Sequence, residues 1–183
     1  MLRRLAKTEA PLNIIACENV IGGSQLLKKE VYNSLSQAEQ EQFEQTFAFP
    51  NAAVDRIVPN QVNDDPLLVK VEPYYEWIVD ESMTIGELPQ VTGLTFVAEL
   101  TPYIERKLFT VNTGHAICAY LGYHYGFNTI AEALKQKEIS NSVEKALHES
   151  GHLLQKKVWL SCRNPRNVRE PNSDSLCESV YFR

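Results

Sequence analysis

One long stretch without proline, from Tyr103 to about Tyr125, restricts the fold of this chain more than any other feature. Apolar side chains recur along it at helical spacing, the pattern of a helix with one buried face. These side chains are Ile104, Leu108, Val111 and Ile117. Pro102 suits the first turn, where the amide hydrogen that proline lacks would be unpaired anyway. The sequence therefore predicts a long central helix.

Three polar side chains, Lys107, Asn112 and His115, lie in this helix within the string KLFTVNTGH. On an α-helix, Asn112 lies about 140° and His115 about 80° round from Lys107, so all three can share one face. A buried ammonium tends to lose its proton, which would make Lys107 a usable base. Taken singly, each is more commonly a solvated residue. Together they favour the interpretation that this helix face is functional. Gly114 adds to this, because it permits close approach by a ligand or another backbone.

The apolar run LNIIAC, which begins at Leu12, predicts a buried strand. A polar loop containing Asn19 follows, then Gly22 and a helix for which Ser24 is the expected cap. Open α/β sheets bind ligands at the carboxyl ends of their strands. This polar loop is therefore at a position where such sheets bind ligands.

Further elements follow from the same signals. Helical composition from Gln25 to about Phe47 is expected to break near Ser36, which has capping-box spacing with Glu39. Two or three short strands or extended segments are predicted between residues 51 and 80, and an irregular stretch from 81 to 94. Two more helices are predicted, at 130–137 and from 141 to about 157.

No metal site is predicted. His148 and His152 are spaced i, i+4 on a helix, but they lack a HExxH pattern or a third ligand, so a solvated face is the favoured interpretation. The four cysteines form no CxxC pair and are interpreted as free thiols. They are Cys17, Cys118, Cys162 and Cys177.

The net charge of −5 provides no general attraction to nucleic acid or to anionic lipid. No apolar run is long enough to span a membrane, and the first residues lack the apolar core of a signal peptide. A cytoplasmic location is the expectation, without nucleic-acid or membrane partners.

The string KLFTVNTGHA resembles the signature of the polyol-specific long-chain mannitol dehydrogenase family: a lysine, an asparagine five residues on, and a histidine three beyond that. The strings IIACEN, AAVDRIVP and EWIVD are also similar to this family. The resemblance extends from about Leu12 to Lys157. It implies an NAD-dependent oxidoreductase that interconverts D-mannitol 1-phosphate and D-fructose 6-phosphate.

The resemblance also implies roles for single residues. Lys107 would be the general base, and Asn112 and Asn19 would hydrogen-bond the developing alkoxide. Asn19 would also contact the cofactor, and His115 the hydroxyl groups of the substrate.

Asp55 and Arg56, in AAVDRIVP, match a string that borders the substrate and cofactor cleft in the family. The equally favoured alternative is an ion pair that closes a turn before Pro59. The phosphate ligands stay open among Arg56, Lys70 and Arg106, and so does the oligomeric state.

The expected fold is mainly α with a few short strands: a helical domain of the 6-phosphogluconate dehydrogenase type, preceded by the last strand of a truncated Rossmann domain. The expected division is 1–22 for the Rossmann remnant, 23–157 for the helical catalytic domain, and 158–183 for an irregular tail. No GxGxxG turn is present, so most of the cofactor half is expected to be missing. A frame-shifted or truncated reading frame would explain the tail.

Two alternatives remain open. One is a related enzyme of the same family, a mannitol 2-dehydrogenase or a hexuronate reductase. The other is an inactive helical fragment that lacks the cofactor domain and associates through exposed apolar surface.

Overall fold

The computed structural model describes residues 10–162, and the side chains of residues 10–157. The chain divides after Leu100 into two compact units, called here the first and the second unit. Helices predominate and the strands are few and short, which confirms the predicted fold class. The domain boundaries at residues 22 and 157 stay predictions.

The first unit begins with two parallel strands joined by two helices. Strand β1 is Leu12–Asn13 and β2 is Phe47–Ala48, with Leu12 opposite Phe47. Helices α1 (Gly23–Asn33) and α2 (Gln37–Thr46) form the connection. The predicted strand over LNIIAC is therefore too long. Past Asn13, one further bond, from the Ile14 amide to the Ala48 carbonyl at 2.9 Å, extends the pairing.

Phenylalanine rings fill the core beneath these strands. Phe43 is fully buried, and its ring centroid lies 5.3 Å from that of Phe47 and 5.6 Å from that of Phe49. Leu12 and Ile14 pack against this cluster. Burial of the apolar side chains thus holds the short β1 against the helices.

The break between α1 and α2 is confirmed. Ser36 and Glu39 form the predicted capping box, in which the Glu39 carboxylate accepts from the Ser36 amide at 2.8 Å and from its hydroxyl at 2.6 Å. These hydrogen bonds hold the pKa of Glu39 below its usual value. Local spacing was sufficient to predict this boundary.

The predicted cap at Ser24 is wrong. Gly22 occupies the N-cap position with a φ of 71°, a conformation that glycine adopts without strain. Ser24 lies inside α1 and is 1% exposed. Its Oγ accepts from the Ala16 amide at 2.9 Å, so the hydroxyl satisfies a loop amide instead of the helix end.

The rest of the first unit is a three-stranded sheet. β3 (Ala52–Asp55) pairs antiparallel with β4 (Glu76–Asp80), and β4 pairs parallel with β5 (Thr95–Val97). A 3-10 turn, Glu81–Met83, follows β4. β5 was not predicted.

The second unit is helical. Helix α3 is Thr101–Lys107, a π-helical segment covers Leu108–Asn112, and α4 is Thr113–His124. Helices α5 and α6 follow, over Ile130–Ala133 and Lys137–Cys162. The predicted long helix is thus present over its whole length, with a π segment inside it.

The core of this unit lies where α4, α5 and α6 meet. Cys118, Ala133 and Ile139 are buried there, with Phe127 and Val143 among the partly buried side chains packed on them.

Helix α6 differs from the prediction at both ends. It begins at Lys137, ahead of the predicted start at Asn141, because no glycine or proline ends the helix between them. It continues to Cys162, so residues 158–162 of the predicted irregular tail are helical. Residues 163–183 lie outside the described part of the chain. None of the helices within residues 10–162 is both long and apolar enough to cross a membrane.

Candidate active site

The backbone changes its hydrogen-bond register at the Lys107–Asn112 turn. The Thr113 amide donates to the Leu108 carbonyl, five residues back, as in a π-helix, and also to the Thr110 carbonyl. Residues five apart then lie one turn apart, so Lys107 and Asn112 lie on the same side of the helix. The expected separation of about 140° assumed an α-helix throughout and is wrong here.

Three side-chain hydroxyls stabilise this turn. Thr110 Oγ1 donates to the Arg106 carbonyl at 2.6 Å, and Thr113 Oγ1 donates to the Leu108 carbonyl at 2.7 Å. From α6, Ser150 Oγ donates to the Phe109 carbonyl at 2.6 Å. Three carbonyls in or next to the π segment thus each accept a hydrogen bond from a side-chain hydroxyl.

The polar residues of the turn differ in exposure. Lys107 and Asn112 are half-buried, whereas His115, in the first turn of α4, is exposed. His115 lies about 60° round the helix axis from Asn112, since the helix there is α. The second unit therefore brings Lys107, Asn112 and His115 together along one helix.

Gly114 faces α6. A methyl group at this position would meet the Leu147 side chain at 3.6 Å and that of Val143 at 3.7 Å, which is ordinary van der Waals contact. The space beside Gly114 is thus bordered by a neighbouring helix. Packing within the second unit does not require glycine there.

Asn19 lies in the first unit, exposed in the loop that follows the carboxyl end of β1. The bond from the Ala16 amide to buried Ser24 holds the start of this loop. Cys17, in the same loop, is a free thiol whose pKa is raised by burial and, next, by the charge of Glu18.

Asp55 and Arg56 lie at the end of β3, also in the first unit. Asp55 is half-buried and stands opposite Glu76 in the sheet. The Arg56 guanidinium donates from Nε and Nη2 to the Glu72 carbonyl at 3.2 and 3.1 Å, and lies over the Tyr75 ring at 5.2 Å. Arg56 thus holds together the two ends of the connection between β3 and β4, and its substrate role stays a prediction.

The sequence analysis did not predict the three hydroxyls that stabilise the turn, those of Thr110, Thr113 and Ser150. Thr110 and Thr113 lie inside the string KLFTVNTGH, and threonine hydroxyls in a helix commonly donate to backbone carbonyls, which is a usable sequence signal. Ser150 offered none, because it is 41 residues from its partner.

No group of three or more histidine, cysteine, aspartate or glutamate side chains in the described part of the chain could hold a metal ion. His148 and His152 are exposed, and His148 Nε2 lies 3.9 Å from Glu144 Oε1. Cys118 is a free, buried thiol, and Cys162 and Cys177 have no described side chain.

Comparison with known proteins identifies both parts of the chain. Residues 1–93 match the mannitol dehydrogenase Rossmann domain, and residues 99–162 match the mannitol dehydrogenase C-terminal domain. Similar curated proteins include two mannitol-1-phosphate 5-dehydrogenases, both 56% identical. That of Geobacillus stearothermophilus aligns over 85% of this chain and 41% of its own length, and that of Bacillus subtilis (strain 168) over 84% and 41%.

Solved structures show the same fold. A D-sorbitol dehydrogenase in substrate-free form matches with a TM-score of 0.66 and 19% identity, over 98% of this chain and 39% of that one. A Pseudomonas fluorescens mannitol 2-dehydrogenase, in a ternary complex with NAD and D-mannitol, matches with a TM-score of 0.61 and 19% identity, over 98% and 48%.

The chain spans about two fifths of the length of the curated relatives that it matches. Both domain matches agree with the resemblance seen in KLFTVNTGHA and confirm it. The end of a Rossmann domain followed by a helical region is the arrangement expected from the sequence. The chain belongs to the mannitol dehydrogenase family.

Proposed function

We propose that this chain carries the catalytic turn of an NAD-dependent dehydrogenase that interconverts D-mannitol 1-phosphate and D-fructose 6-phosphate. The observation that carries the proposal is the π turn, which sets half-buried Lys107 and Asn112 one turn apart on the same side of a helix. Such interruptions of α-helices occur frequently at functional sites. The names of the curated relatives support the substrate.

Lys107 acts as the general base. Its Nζ accepts the proton of the substrate hydroxyl, so that the oxygen carries negative charge as the carbonyl forms. The Asn112 amide donates a hydrogen bond to that oxygen, a donor fixed before the charge develops. His115, exposed at the start of α4, contacts the remaining hydroxyl groups and selects the carbon that reacts.

The cofactor proposal rests on Asn19. This amide lies exposed beyond the carboxyl end of a parallel strand, the position at which α/β sheets bind ligands, and so fits the nicotinamide end of a dinucleotide. No glycine-rich turn for the pyrophosphate occurs in this sequence, so Asn19 is the only cofactor contact proposed. NAD bound there would supply the acceptor for the hydride of the carbinol carbon. Asn19 is also the second proposed donor to the alkoxide.

Asp55 and Arg56 are proposed to border the substrate. Arg56 keeps its strong local partners, Glu72 and Tyr75, in this role. Its contribution would therefore be to shape the site rather than to move toward the phosphate.

The test uses the completed protein, defined as this chain joined to the parts of the Geobacillus stearothermophilus relative that it does not span. NADH formation is followed with D-mannitol 1-phosphate, D-mannitol, and a reduced hexuronate. We expect turnover with the phosphate ester and at least about tenfold lower kcat/KM with the other two. Higher kcat/KM with free mannitol or the hexuronate derivative would assign the chain to a related enzyme of the family.

A second candidate applies to the 183-residue chain by itself: a non-catalytic helical fragment that self-associates. Tyr120 and Tyr123, one turn apart on α4, are 78% and 84% exposed. Exposed apolar patches favour association. Size-exclusion chromatography and an NADH titration distinguish the two candidates. A dimer that does not bind NADH would support the non-catalytic, self-associating fragment.

A further inference from the structure

Ser150 lies on α6, outside the string that carries the candidate catalytic residues, yet its hydroxyl reaches the middle of the π segment. In an α-helix the Phe109 carbonyl would accept from the Thr113 amide, four residues on. Here that amide donates to the Leu108 and Thr110 carbonyls instead, and the Phe109 carbonyl accepts from Ser150 Oγ at 2.6 Å. The hydroxyl replaces the backbone donor that the π register removes.

The neighbouring contacts fix Ser150 in place. Val143 and Leu147, on the same helix, lie beside Gly114 just beyond the π segment, so α6 packs against this part of the chain. Ser150 is half-buried. Its Oγ also lies 3.2 Å from the Leu147 carbonyl, but the single hydroxyl proton favours the shorter contact with Phe109.

We propose that Ser150 is a positioning residue, which holds residues 108–112 in the π register and thereby keeps Lys107 and Asn112 on a common side of the helix. This inference rests on the proposed function of those two residues. Without the hydroxyl, the Phe109 carbonyl loses a partner, and the Thr113 amide is the nearest replacement along the helix. That exchange restores the α register, in which Asn112 lies about 140° round from Lys107.

The register is tested first, in the 183-residue chain. The NMR scalar coupling across the hydrogen bond, between the Thr113 amide nitrogen and a carbonyl carbon, shows which carbonyl group accepts from this amide. We expect coupling to Leu108 in the unchanged chain, in Ser150→Thr, and in the control Ser142→Ala, whose hydroxyl bonds only Glu138 of its own helix. In Ser150→Ala the coupling moves to Phe109. Retention of the Leu108 coupling in Ser150→Ala would overturn the proposal.

Activity is tested next, in the completed protein. We expect Ser150→Ala to lower kcat at least about tenfold with little change in the KM for NAD, because the reacting groups lose their orientation. Ser150→Thr restores most of the loss, and Ser142→Ala matches the unchanged protein. A fall in melting temperature with kcat per folded molecule unchanged would reduce Ser150 to a structural residue.

The proposal stays testable if Ser150→Ala does not fold or if the completed protein is inactive. If Ser150→Ala does not fold, Ser150→Cys is used, since a thiol is a weaker donor; a partial fall in kcat supports the proposal and an unchanged kcat contradicts it. If the completed protein has no activity at all, the proposed function fails, while the Thr113 coupling still decides whether Ser150 sets the register.

Discussion

Two polar segments carry the candidate catalytic residues, and each is held by one serine from a helix. In the second unit, Ser150 donates to a carbonyl of the Lys107–Asn112 turn at 2.6 Å. In the first unit, Ser24 accepts from the Ala16 amide at 2.9 Å, at the start of the loop that contains Asn19. One segment is a half-buried turn within a helix, and the other is an exposed loop after a strand.

The two segments differ in how precisely their hydrogen bonds fix the positions of the candidate side chains. In the π turn, the backbone ladder and three hydroxyls determine where Lys107 and Asn112 lie. In the loop, the serine fixes Ala16, three residues before Asn19. We expect the turn to supply the precisely oriented groups of the reaction, and the loop to supply a contact that adapts to its ligand.

Between the two segments, the largest expected difference is in the effects of replacing Asn112 and Asn19. In the completed protein, Asn112→Ala should lower kcat by about 10²- to 10³-fold, because it removes a fixed donor to the developing alkoxide. Asn19→Ala should lower kcat less and raise the KM for NAD. Steady-state kinetics measures both, and Asn128→Ala, at an exposed position after α4, serves as control. Equal losses of kcat in Asn112→Ala and Asn19→Ala would contradict the comparison.

The next effect concerns stability in the loop. Ser24→Ala leaves the Ala16 amide without its hydroxyl acceptor at a buried site, which should lower the free energy of unfolding by about 1–3 kcal/mol. Urea denaturation measures the change. Ser34→Ala is the matched control, since this exposed hydroxyl, at the C-cap of α1, donates to the Val31 carbonyl three residues back. A Ser24 variant as stable as the control would show that the hydroxyl does not hold the loop.

Two glycines on α4 test the packing of this helix against α5 and α6. A methyl group at Gly122 would lie 2.8 Å from the Ala133 Cβ, so Gly122→Ala should destabilise the protein by about 1–3 kcal/mol. At Gly114 the added methyl meets α6 at ordinary distances, and Gly114→Ala should stabilise by up to about 1 kcal/mol. Thermal denaturation compares them. Loss of activity in a stable Gly114→Ala protein would instead indicate ligand approach at this glycine.

The smallest expected effect is on Cys17. The negative charge of Glu18 contributes to the raised pKa of this thiol, after burial. Glu18→Gln should lower the pKa, increase the thiolate fraction at pH 8, and speed alkylation by iodoacetamide modestly. Alkylation at Cys17 is followed by peptide mass spectrometry. An unchanged or slower rate would mean that the Glu18 charge does not act on Cys17.

Much of the fold followed from local signals. The capping box at Ser36 and the extent of the helix from Tyr103 to Tyr125 depend on neighbouring residues, and both were predicted. The short β1 and the role of Ser24 were not, because they depend on contacts between segments. Hydrophobic pattern alone does not say how far two strands remain paired.

The candidate residues were recognised, but their geometry was not. A helical period of 3.6 residues placed Asn112 about 140° from Lys107, whereas the π register places them on one side. The donor to the Phe109 carbonyl comes from Ser150, which no local pattern connects with the turn. Tertiary hydrogen bonding therefore determines the detail that matters most for the proposed chemistry.

Hydride transfer measured in a single turnover tests the central claim most directly. The completed protein, with saturating NAD and D-mannitol 1-phosphate, is compared with Lys107→Ala and with the control Lys145→Ala, at an exposed position on α6. We predict that Lys107→Ala lowers the rate of NADH formation by about 10²- to 10⁴-fold while Lys145→Ala leaves it unchanged. A folded Lys107→Ala protein that forms NADH at the unchanged rate would contradict the assignment of this turn as catalytic.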